Sequence, residues 1–192
     1  MKLAEIKRAV VILVIFLVLL TGVYPAVVTL VGKIAFPGKA GGSLVERNGA
    51  VYGSSLIGQP FSDPKYFWPR PSATAPAGRM PYDPMASGGS NLGPTNPALL
   101  DETGAAARQL RDSGVSGPLP IDLVTSSASG LDPDITVEAA EAQAARVGQA
   151  RHMSAAQVEQ LINAHKQGRT FGFLGRERVN VLELNLALDA AG

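Results

Sequence analysis

The sequence predicts an α+β protein in which a single N-terminal transmembrane helix is followed by a small, loop-rich extracytoplasmic α+β domain. Three observations predict it. Residues 9–32 carry no charged side chain. The remainder mixes a strong hairpin signal with capped, amphipathic helical stretches. Its prolines and glycines (14 and 21 in the chain) supply many turns without reaching a disordered composition. The boundaries fall at 1–33 for the anchor and 34–192 for the soluble domain.

The stretch "AVVILVIFLVLLTGVYPAVVTLVG" (9–32) would reach roughly 36 Å as a helix, enough for a hydrocarbon core of about 30 Å. It lacks the polar stripe of a soluble core helix. It is also longer than the apolar region of a cleaved signal peptide. Pro25 interrupts it, and a kink there would free a carbonyl for a neighbouring helix to satisfy. That makes Pro25 a candidate partner contact, and Thr21 and Gly22 add a small-residue patch for close approach. Lys2, Lys7 and Arg8 precede the span and Lys33 and Lys39 follow it. The bias places the N-terminus in the cytoplasm and the domain outside the inner membrane.

Composition excludes several classes. The chain has no cysteine and only two histidines, His152 and His165, so disulfide frameworks, thiolate metal sites and thiol nucleophiles are out. Its formal net charge is +1, and no basic face suits nucleic acid. No cluster of ligand-type residues suggests a metal.

Beyond a short Pro/Gly linker at 36–43, Asn48-Gly49 sits between two apolar–polar runs and predicts paired strands near 43–47 and 50–54. Residues 58–97 are too rich in proline for a helix or central strand and read as ordered loop, their aromatics arguing against disorder. Asn96 and Pro97 open a helix that Gly114 closes, with Leu99, Leu100, Thr103, Ala106, Ala107 and Leu110 on its buried stripe. A strand is expected at 121–125 and a second helix at 136–151. A third helix starts at Ser154, which has capping-box spacing to Gln157, and ends at Gly168. The tail at 178–189 alternates like a strand, but the Asn180/Glu183 pair and its Leu, Glu and Ala content favour helix.

Three stretches could carry function. "SGGSNLGPTNP" (87–97) resembles phosphate-loop material but lacks the P-loop lysine, and Pro97 removes an amide from the helix that follows. The residues favour a structural turn. Ser126, Ser127 and Ser129 raise a membrane-tethered periplasmic serine hydrolase as an alternative, yet no nucleophile elbow is present and a base would have to come from His152 or His165. "KYFWPRPSA" (65–73) places Tyr66, Phe67 and Trp68 beside Arg70, the composition of an interface anchor. The competing expectation is that two of these aromatics pack inward while Tyr66 or Trp68 meets the membrane interface.

Taken together, "GSSLIGQPF" (53–61), "YFWPRPSA" (66–73), "SGGSNLGPTNP" (87–97), "DLVTSSASGLDPDI" (122–135), "AARVGQAR" (144–151) and "RVNVLELNLALD" (178–189) resemble the C subunit of the Kdp-type potassium-transporting P-type ATPase. Two departures stand out: Asp134 replaces the histidine usual in its "LDPH" turn, and Thr136-Val137 replaces Ser-Pro. The resemblance implies a single-span, non-catalytic subunit of a bacterial inner-membrane potassium-uptake complex. Its partners would be a channel-like potassium-binding subunit, a P-type ATP-hydrolysing subunit and the lipid bilayer. The complex would handle ATP and potassium, and this subunit would act as a catalytic chaperone raising the pump's ATP affinity. Nucleotide contacts are implied near Ser87, Gly88, Gly89, Ser90 and Asn91.

Overall fold

The computed structural model describes residues 3–74 and 81–191. The chain divides into two compact units, Met1–Leu44 and Val45–Gly192.

In the first unit, α1 (Leu3–Val18), a π-helical turn (Leu19–Val23) and α2 (Tyr24–Ala35) form one helical run. That run, Leu3–Ala35, is long and apolar enough to cross a membrane, with a mean hydropathy of 2.8 over an 18-residue stretch. The π turn explains how proline is accommodated. Tyr24 N–H donates to Leu19 O, a wider bond than the α-helical one, made just before Pro25 at the second position of α2. Opening one turn replaces breaking the helix. Thr21 Oγ1 donates back to Leu17 O at 2.7 Å. The linker is more ordered than its composition suggests, since Pro37–Ala40 forms a single helical turn, α3.

The hairpin forms as its turn residues require. The strands β1 (Leu44–Arg47) and β2 (Ala50–Ser54) pair, and Asn48 and Gly49 take φ of 51° and 78°, the positive values of a type I′ turn.

The rest of the second unit packs helices on a three-stranded antiparallel sheet ordered β3-β5-β4, comprising β3 (Asp134–Thr136), β4 (Lys166–Gln167) and β5 (Arg178–Asn180). Ile135 faces Val179, and Lys166 faces the same residue from the other side. Around it lie α4 (Pro97–Asp112), α5 (Val137–Arg151), α6 (Ala155–His165) and α7 (Val181–Ala191). Phe67, Ile135, Val147, Ile162, Leu184 and Leu188 are among the fully buried side chains at the centre.

Caps set the helix starts. Asn96 accepts from Ala98 N–H, Thr136 from Ala139 N–H, and Ser154 and Gln157 form the expected reciprocal box. Met153 packs on the core that contains Val158. His152 closes α5 in the left-handed conformation, φ 56°.

Four expectations need correction. Residues 121–125 are not a strand: Ile121–Leu123 is a 3₁₀ turn whose Asp122 is buried and accepts from Thr136 N–H at 2.7 Å. Tying that carboxylate to the start of α5 fixes the segment as a turn, with Pro118 and Pro120 just before it. Helix α6 stops at His165 rather than Gly168, because Lys166 and Gln167 are taken up by the sheet. The tail resolves into both alternatives, a three-residue strand ending at Asn180 and then α7, with Asn180 Oδ1 accepting from Glu183 N–H. Finally, Leu100 lies outside the buried stripe of α4 at 67% exposure, and only Leu110 of that stripe is fully buried.

Candidate functional site

The aromatic segment is held by buried polar side chains from two helices. Asn185 on α7 accepts from Phe67 N–H at 2.8 Å and donates to Phe67 O at 3.0 Å. Gln143 on α5 does the same for Trp68, accepting at 2.8 Å and donating at 3.1 Å. Each carboxamide thus mimics a neighbouring β-strand, giving an extended segment the backbone partners it would otherwise lack inside the protein. Phe67 is fully buried and Trp68 nearly so.

Arg146 completes the clamp from below. Its Nη1 donates to the carbonyls of Pro64 and Tyr66, its Nη2 donates to Gln143 Oε1 at 2.7 Å, and its guanidinium lies 4.4 Å from the centre of the Trp68 ring. Burial lowers its pKa to about 10, so it remains charged at neutral pH. It forms no ion pair among the described residues; carbonyl dipoles and an aromatic face hold it instead.

Tyr66 lies at the edge of this clamp. Its hydroxyl donates to Asp189 Oδ2 at 3.0 Å, and Arg151 stacks 4.9 Å above its ring while pairing with Asp189 at 2.6 Å. Of the two expectations for the three aromatics, the inward one holds for Phe67 and Trp68. Both are consumed by the domain's own core, so neither side chain is free to anchor a partner. The third aromatic, Tyr66, sits half-buried at the rim of that core. Backbone extension allows this because alternate side chains diverge while carboxamides occupy the space between.

Arg70 begins a second network. It pairs with Asp132 at 3.1 Å and donates to Ser126 O at 3.3 Å. Tyr82 donates its hydroxyl to Arg70 O, and burial foremost, with help from the Asp132 charge, raises its pKa. Ser72 Oγ donates to Gly130 O at 2.7 Å and accepts from Tyr82 N–H at 3.1 Å. Arg70 therefore works as an internal tie between the proline-rich loop and the 126–132 turn.

The Gly/Ser loop is stitched to that same turn. Gly88 N–H donates to Ser129 O at 2.8 Å, and Ser87 Oγ to the same carbonyl at 3.1 Å. A Cβ at Gly89 would stand 3.1 Å from Ala128 O, and one at Gly130 only 2.7 Å from Gly88 O. Two backbones thus lie against each other, and glycine is needed to let them touch. Asn91 takes a left-handed φ of 54° and donates to Gly89 O. Ser90 and Leu92 line a cleft of about 780 Å³ with Glu102, Thr103 and Thr125. The Gly88 amide, which an anion would need, is already committed to a carbonyl.

The serine-rich turn is tied into the fold. Ser127 is buried and its hydroxyl meets Ser129 Oγ at 3.3 Å. His165 Nδ1 contacts Leu161 O, and His152 ends α5. Asp132 accepts from Asp134 N–H at 3.1 Å, and Asp134 pairs with Arg178 at 2.9 Å, both in structural ties. Among the described residues no group of three or more His, Cys, Asp or Glu could hold a metal ion.

Sequence reasoning missed Gln143, Arg146 and Asn185, which organise the site. One signal was available. Gln143 and Arg146 stand one helical turn apart among Ala139, Ala140, Ala144 and Val147, polar side chains embedded in an otherwise apolar face.

The chain thus joins a helix long and apolar enough to cross a membrane to a small α+β domain. Comparison with known proteins gives its family. The model of the KdpC family, described as "K+-transporting ATPase, c chain", matches residues 6–190, and the chain belongs to that family. It is 55% identical over 186 residues to the potassium-transporting ATPase KdpC subunit of Geobacter sulfurreducens, covering 96% of this chain and 97% of the relative. It is 57% identical over 187 residues to that of Burkholderia cenocepacia, covering 96% and 95%. The corresponding subunit of Geotalea uraniireducens is 53% identical over 186 residues.

Proposed function

We propose that this chain is the accessory subunit of an ATP-driven potassium-uptake complex, anchored in the inner membrane by residues 3–35 with its domain outside the cytoplasm. The observation that carries the reading is that one family match runs continuously through the anchor and the domain. The relatives are named as subunits of a potassium-transporting ATPase, and their partners here would be a channel-like potassium-binding subunit and a P-type ATP-hydrolysing subunit.

The orientation follows from the lysine and arginine bias at the helix ends. On that side of the membrane there is no ATP, so any gain in the pump's ATP affinity arises by coupling through the assembly rather than by nucleotide contact at Ser87, Gly88, Gly89, Ser90 and Asn91. The Gly/Ser loop is then a structural seam. Tyr66, on the rim of the clamp, is the aromatic left available for a partner. Pro25 and its π turn would present a shaped helix face to membrane-embedded subunits. Phe67, Trp68 and Arg70 would contribute by fixing the surface on which Tyr66 stands.

Affinity purification of the tagged full chain from potassium-limited cells in mild detergent tests this. Recovery of a P-type ATPase and a channel-like subunit in fixed ratio is expected. Recovery of the chain alone would contradict the reading.

A further inference from the structure

Between β4 and β5 the chain makes a ten-residue excursion, 168–177, tipped by Phe171, Phe173 and Leu174. These three are 83%, 69% and 50% exposed. The tip is built rather than slack. Thr170 and Leu174 exchange both backbone hydrogen bonds at 2.9 Å, and Phe171 and Gly172 take φ of 54° and 81°, the turn of a tight hairpin. A phenylalanine in the left-handed region is uncommon, and here it turns the ring outward, away from the core.

We propose that this tip dips into the headgroup region of an anionic lipid bilayer. Its chemistry fits an interfacial anchor, with three adjacent apolar side chains flanked in sequence by Arg169 and Arg176. Neither arginine has an ion-pair partner among the described residues. Arg176 also borders a cleft with Glu138 and Glu141, so Arg169 is the more available of the two. Lys166 pairs with Glu177 at 3.2 Å and closes the base without net charge, leaving the tip cationic.

Position favours lipid over a protein partner. The strand by which the chain enters the second unit lines a cavity with His165, through Val45, Glu46 and Arg47. His165 directly precedes β4, so the base of the tip lies beside the entry strand. That strand begins nine residues after a helix suited to crossing a membrane. The helix therefore tethers the domain to a bilayer through the short stretch 36–43, which keeps lipid at high effective concentration around it. The rigid turn has already lost the entropy that insertion would otherwise cost. The inference does not depend on which complex the chain joins.

The absence of cysteine makes the test clean. Phe173→Cys and, as an exposed control on α6, Glu159→Cys would be labelled with an environment-sensitive fluorophore. The full chain would then be reconstituted in phosphatidylcholine–phosphatidylglycerol vesicles. Nitroxide-bearing lipids should quench the probe at 173 at least about threefold more than at 159, with aqueous iodide showing the reverse order. Adding Arg169→Glu should lower the lipid quenching about twofold or more. Equal iodide access at both positions would overturn the proposal. So would shielding at 173 that appears only when the chain is purified with other subunits, which would assign the tip to a protein contact.

Discussion

Asn185 grips Phe67 by both of its backbone groups, accepting from the N–H at 2.8 Å and donating to the carbonyl at 3.0 Å across 118 residues of sequence. A buried side chain in the middle of the last helix thus fixes the fully buried Phe67 in the proline-rich loop. Asn185→Leu removes both bonds and strands a buried donor and acceptor, at about 1–3 kcal/mol for each unsatisfied group. Urea unfolding of the full chain in detergent should show a loss of about 2–5 kcal/mol. Asn185→Asp keeps one acceptor and buries a charge, so it should not rescue.

Glycines at the seam separate a packing role from a chemical one. Gly130→Ala would place a Cβ 2.5 Å from Thr74 Cγ2 at φ +66°, whereas the same change at Gly93 meets nothing within 4 Å. The first should cost about 1–3 kcal/mol and the second about zero, read as shifts of the thermal midpoint. Equal effects would mean that the two backbones do not meet in the folded protein.

Asp134 supplies a pH signature. Burial first, then the charge of Asp132, raises its pKa, with Arg178 opposing. A carboxylate whose folded pKa is raised binds more protons folded than unfolded. Its contribution is therefore greatest at low pH and is lost as pH climbs from the ordinary aspartate value through the raised folded pKa. Relative to wild type, Asp134→Asn should gain stability as pH rises upward from the ordinary carboxylate pKa. The difference in thermal midpoints across that window checks the sign. The histidine usual at this turn in the resembled family carries no negative charge, so the ion pair with Arg178 is particular to the Asp.

Nucleotide should find no site at residues 87–91. Isothermal calorimetry of the purified domain, freed of residues 1–34, is expected to show no saturable heat with ATP up to millimolar concentration, about −4 kcal/mol of binding free energy being the threshold such an experiment reaches. A saturating isotherm that Gly89→Ala abolishes would reassign the loop to binding.

Much of the fold was legible because its signals are local. Asn48-Gly49, Asn96-Pro97 and the Ser154/Gln157 box each act within four residues, and each formed as its chemistry requires. The strand expected at 121–125 failed because its fate is decided by the Asp122 bond to Thr136, fourteen residues away. The clamp was invisible for the same reason at larger scale. A glutamine or asparagine on a helix reads as solvent-facing until a loop from 75 or 118 residues earlier is laid against it. Without those two partners, the sequence left open whether Phe67 and Trp68 pack inward or anchor a partner.

The account turns on where the domain lies, and topology can be measured directly in cells. A single cysteine introduced at Glu159, in a chain that otherwise has none, would be exposed to a membrane-impermeant maleimide in intact spheroplasts. Labelling to the level reached after lysis is the predicted result. Labelling that appears only once the membrane is broken would put the domain in the cytoplasm, beside the ATP, and contradict a role exerted from outside.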